Sequence, residues 1–277
     1  MTLSARNRFF KGGIILATLS LCIIAVGGYF TFSVFPRIEA YSAQRSWGMI
    51  QSFIAASAEP SAYVPLFTMI GAAAYSLISI ILIYYFFEKT QSPEILFVAL
   101  FVISLAFEVT RIIIPLKNVF PISGMYLVAV YRILFFGRYF GLFSLFAASV
   151  YSAGLDAQRQ QNIFLVLFLV ALIIALNIPI DSLLWDSTFM LLSGYKIMFY
   201  MVETGILVIL VLTFFISAHT RGSRIYVWIG LGAFLALAGR NLLISSDTWI
   251  TLAPGLAILI AGTLLVCSGL HKVYLWF

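Results

Sequence analysis

The sequence predicts an all-α, polytopic membrane protein, a bundle of about eight transmembrane helices that forms one integral membrane domain over residues 1–277. Three observations predict it. Hydrophobic residues make up 63% of the chain and charged residues 9%, whereas roughly a quarter of a soluble domain is charged. The mean hydropathy is +1.09. The apolar residues also gather into runs near the ~20 residues that a helix needs to cross a ~30 Å hydrocarbon core.

The runs predict spans over residues 12–35, 64–87, 95–114, 124–153, 163–180, 195–218, 225–244 and 250–270. The first follows Arg6, Arg8 and Lys11, as the apolar stretch of a signal peptide would. Its run exceeds the ~7–15 residues of such a stretch, so an uncleaved anchor is expected. With the N-terminus inside, the cytoplasmic segments hold Arg6, Arg8, Lys11, Lys89, Arg159, Arg221, Arg224 and Lys272, against Arg37, Arg45, Lys117 and Lys196 on the other side. The excess of cations inside predicts that both termini are cytoplasmic, in an inner or plasma membrane. The sequence pI of about 9.4 reads as this topology rather than as an affinity for nucleic acid.

Two outer segments carry more apolar residues than a connector needs. Pro36–Tyr63 mixes Ile38, Tyr41, Trp47 and Phe53 with Arg37, Glu39 and Arg45, a pattern that suits a helix lying in the interface. Asp181–Gly194 holds Leu183, Trp185, Phe189 and Leu191, too few to span and too apolar to float free. It is expected to dip toward the membrane or cap a cavity. The cytoplasmic loops are too short for a folded domain, so a cytoplasmic or membrane partner protein is expected to be a separate chain.

Six charges lie inside the predicted spans: Glu108, Arg111, Arg132, Arg138, Glu203 and Arg240. A charge in hydrocarbon calls for a partner, a watered cavity or a ligand. At 1.5 Å per residue, Glu108 and Arg111 fall roughly 6–10 Å below the outer end of the third span, Arg132 and Glu203 about 12 Å below theirs, and Arg240 about 6 Å. Arg138 sits deeper, near the middle of the long fourth span. Glu108 and Arg111, three residues apart, share a helical face and can pair. One arrangement is a polar network that knits the bundle, with Arg111 on Glu108, Arg132 on Glu203 and Arg240 on backbone carbonyls. Four guanidiniums against two carboxylates leave about +2, however, and the guanidinium fork suits carboxylate or phosphate. The six residues are therefore the candidate ligand-binding site for an anionic or amphipathic small molecule. Tyr131, Phe135, Phe136, Tyr139 and Phe140 around the two arginines of the fourth span supply walls for it or fill the core.

Small residues mark close helix contacts. Gly255, Gly262 and Gly269 recur every seven residues in the eighth span, and Gly232, Ala236 and Arg240 stack in the seventh. The residues supply no catalytic constellation, no metal site and no cofactor motif. His219 and His271 lie at span ends, and Cys22 and Cys267 lie in apolar stretches. An eight-span bundle with a charged outer pocket and little cytoplasmic mass is similar in architecture to the membrane sensor modules of bacterial signalling proteins. The expected function is that of a receptor, sensor or accessory subunit that recognises an anionic or amphipathic ligand from outside. A secondary transporter for an anionic solute ranks second. A membrane transferase acting on a lipid-linked substrate, with Glu108 or Glu203 as base, ranks third.

Overall fold

In the computed structural model, residues 3–32, 61, 63–88, 90, 92–117, 119–180, 183–192, 194 and 196–275 are described. Among them, eight helices are long and apolar enough to cross a membrane. They are α1 (Leu3–Phe32) and α2 (Tyr63–Phe87), then a third span of three parts. That span comprises α3 (Pro93–Ser104), a 3-10 stretch (Leu105–Ile112) and the single turn α4 (Ile113–Lys117). The remaining spans are α5 (Gly124–Ser152), α6 (Gln160–Asn177), α7 (Lys196–Thr220), α8 (Ile225–Ile244) and α9 (Trp249–Leu275). The chain is an integral, multi-pass membrane protein. The expected interfacial helix over Pro36–Tyr63 falls outside the described residues, apart from Ser61 and Tyr63.

Span ends follow local chemistry. The third span opens on Ser92, whose Oγ accepts the Ile95 backbone N–H at 3.3 Å, with Pro93 in the first turn. This is the capping that leaves the fewest free N–H groups at a helix start. The first helix begins at Leu3 rather than at the expected Gly12. Of its basic residues, Arg6 is buried and has partners at this end. The Arg6 Nη2 donates to the carbonyls of Phe87 at 2.9 Å and Glu88 at 2.6 Å, at the C-terminal end of α2. A cation there satisfies free carbonyls and complements the helix dipole.

The third span and α5 form the middle of the bundle and are its most buried helices, while α6 and α7 lie at the periphery. The outer faces of α6 and α7 expose Leu165, Val166, Ile173, Ile197, Phe215 and their neighbours, as a lipid-facing surface should. Glycine sets the two tightest contacts. A Cβ on Gly262 of α9 would strike the backbone of Ala236 and Gly232 in α8, and one on Gly239 would strike the backbone of Leu259. Backbone meets backbone along this seam, as the seven-residue glycine repeat predicts. In α5, Gly137 and Gly141 face the third span, where Phe107 Cβ lies 2.5 Å from a Cβ built on Gly137 and Ser104 crowds Gly141. This pair, four residues apart, lets the 3-10 stretch lie directly against α5.

Candidate functional site

The site is built on the 3-10 stretch. With three residues per turn, side chains three apart eclipse one another, so Glu108 and Arg111 stand in one column. Their Oε2 and Nη1 atoms are 3.4 Å apart, and both residues are buried. The close approach at Gly137 brings the next residue of α5, Arg138, onto the same carboxylate. Arg138 Nε donates to Glu108 Oε1 at 2.7 Å and its Nη2 to Oε2 at 2.8 Å. That is a two-pronged fork, the strongest form of guanidinium–carboxylate contact.

Two further helices complete the cluster. From α8, Arg240 Nη1 donates to the Arg138 carbonyl at 3.1 Å. Its Nη2 lies 3.6 Å from Glu203 Oε1 on α7. The expected contact of Arg240 with a backbone carbonyl and the expected Glu108–Arg111 pair are both present. The expected Arg132–Glu203 pair is not, because Glu203 faces Arg240. Arg138, expected to lie deeper than the others, shares Glu108 with Arg111.

A loop covers the cluster. Residues 183–192 fold back on themselves, with an antiparallel bridge between Trp185 and Leu191. Asp186 Oδ1 organises the turn by accepting the Thr188 N–H at 3.0 Å, the Thr188 hydroxyl at 2.6 Å and the Met190 N–H at 3.1 Å. Phe189, at φ 56, takes the left-handed conformation while its ring is buried. That backbone costs about 1–2 kcal/mol, offset by burying an aromatic side chain. The turn presents the Thr188 carbonyl to Arg111, which donates to it through both Nε and Nη2, and the Met190 sulfur to Arg138 Nη1 at 3.1 Å. The segment 181–194 was expected to dip toward the membrane or cap a cavity. Its described residues cap the ion pairs.

Arg132 stands apart from the other five. It makes no hydrogen bond or ion pair among the described residues, and its Nε is buried without a partner. At 3.6 residues per turn, positions six apart on α5 point about 120° from each other, so Arg138 faces the third span while Arg132 faces α6. The five residues are therefore three guanidiniums against two carboxylates, and the lid adds a third carboxylate, Asp186, which acts electrostatically on Arg111. The lid residues Thr188 and Met190 enter through neutral acceptors, which carry no charge signature in the sequence. The readable signal was the Gly137–Gly141 pair flanking Arg138. Among the described residues, no group of His, Cys, Asp or Glu side chains is placed to hold a metal ion.

What the fold and cluster define is a class, an integral multi-pass helix bundle with a buried ion-pair network beneath a loop. No protein-family model, curated protein or solved structure matches the chain.

Proposed function

We propose that this chain is a receptor, sensor or accessory subunit that recognises an anionic ligand from the outer side of an inner or plasma membrane, with both termini cytoplasmic. The distribution of cationic loops supports the orientation. One observation carries the ligand reading: Arg111 and Arg138 meet the lid through neutral acceptors, the Thr188 carbonyl and the Met190 sulfur. The network gains by exchanging a neutral acceptor for an anionic one, which forms bonds about twice as strong. The lid is then the displaceable stand-in for the ligand, and its movement is the event that a separate partner protein reads.

Asp186→Ala tests this. It removes the acceptor of three lid hydrogen bonds, each contributing about 0.5–1.5 kcal/mol, and a carboxylate that acts on Arg111, while it leaves every arginine in place. Thermal melts of the purified protein against inorganic phosphate, sulfate and dicarboxylates are expected to show an anion that stabilises the wild type. Asp186→Ala should bind it about tenfold or more tightly, since less of the binding free energy is spent in opening the lid. If no anion shifts either protein, the network is a structural tie and the receptor reading is wrong.

A further inference from the structure

Arg132 opens onto a groove that the ion-pair network does not use. The groove lies between α5 and α6, has a volume of about 390 Å3 and is lined by Ala129, Arg132, Ile133, Phe136, Phe168 and Leu172, together with Ala175 and Leu176. That volume lies within the ~300–1,000 Å3 of ligand clefts. Apart from the Arg132 guanidinium, its walls are apolar.

The depth of the groove follows from α6. Its 18 residues rise about 27 Å, enough to cross the hydrocarbon core once. The end of α6 at Asn177 therefore marks the edge of the core. Phe136 of α5 meets Phe168 of the antiparallel α6, so Arg132 lies level with about Leu172, roughly 7–8 Å inside that edge and within reach of it for an extended side chain. An arginine there rests its stem on apolar wall and lifts its head toward the phosphate level. Phe168 stands about 6 Å further in along α6 than Leu172, so the groove runs from near the interface into the acyl region. It opens sideways to lipid, because the neighbouring positions Leu165, Leu169 and Ile173 of α6 are exposed.

We infer that this groove binds one anionic phospholipid from the leaflet at the lid end, with its phosphate on Arg132 and an acyl chain between α5 and α6. Charge complementarity selects this occupant. The arginine has no carboxylate partner among the described residues, its planar fork matches phosphate, and the apolar lining continues inward as an acyl chain does. The site stands about 120° around α5 from Arg138 and shares none of its bonds, so it holds whether or not the lid reading does.

The test is native mass spectrometry of the full chain released from nanodiscs made of equal parts phosphatidylglycerol and phosphatidylcholine. Wild type should retain one phosphatidylglycerol in preference to phosphatidylcholine. Arg132→Gln should weaken that retention about tenfold or more, the scale of a lost hydrogen bond to a charged group. Ala129→Trp keeps the arginine and fills the groove from an exposed wall position, and it should lose the lipid as well. Equal retention of the two lipids by wild type, or unchanged preference in Arg132→Gln, overturns the proposal. So does a wild-type dimer abolished by Arg132→Gln with no lipid retained, since the groove would then hold a helix of a second copy.

Discussion

Glu108 is the residue on which the site turns. One buried carboxylate receives the fork of Arg138 and the nearer Nη1 of Arg111, so its removal strands two cations in an interior that cannot solvate them. Breaking a buried pair of this kind costs about 3–5 kcal/mol, far more than an exposed pair contributes. Glu108→Ala and Arg138→Ala should each lower the unfolding free energy in detergent by about that amount. The double mutant should cost less than the sum, with a coupling of at least ~1 kcal/mol. Strict additivity in chemical or thermal unfolding would show that the two side chains do not share a bond. The sequence exposed the Glu108–Arg111 pair because three-residue spacing serves helical and 3-10 geometry alike. It did not separate Arg132 from Arg138, since depth along a helix says nothing about which face a residue occupies. Both arginines have aromatic neighbours in the sequence. Their helical phase, and the glycines on one side of them, decide which turns inward.

Among the elements, the third span and the α8–α9 pair do the positioning. The 3-10 stretch Leu105–Ile112 is long for a geometry that seldom exceeds 3–4 residues. It survives because Gly137 and Gly141 accept Phe107 and Ser104 against the α5 backbone, while Glu108 and Arg111 are tied to α5 and the lid. Nothing in the residue order Leu-Ala-Phe-Glu-Val-Thr-Arg-Ile announces it, because the change of winding depends on contacts made across the bundle. The α8–α9 seam, in contrast, was legible from the period of its glycines alone. Gly262→Leu should prevent α8 and α9 from packing, since a side chain there meets the Ala236 and Gly232 backbone, which cannot rotate away. Gly12→Ala has open space around it inside α1 and should keep or raise stability, by up to about 0.5–1 kcal/mol. Size-exclusion profiles and melts of the two variants check this contrast. A well-folded Gly262→Leu protein would contradict the seam.

At the scale of the whole molecule, the intramembrane charges divide into two systems. Five residues from the third span, α5, α7 and α8 close on one another beneath the 183–192 loop, and their bonds tie four helices at one level. The sixth, Arg132, belongs to the lipid-facing side. The number of spans, the segregation of charge toward one end and the identity of the charged residues were all readable from the chain. The partnering was not, because four helices can bring the same six charges together in several pairings, and the close approaches at glycine select one. The division can be tested most directly by comparing Arg132→Gln with Arg138→Gln in thermal melts of the purified, lipid-depleted protein in one detergent. Arg138→Gln should melt well below wild type, by the equivalent of about 3–5 kcal/mol, while Arg132→Gln should melt with wild type. If the two variants lose equal stability, Arg132 is part of the internal network and the account of two separate systems is wrong.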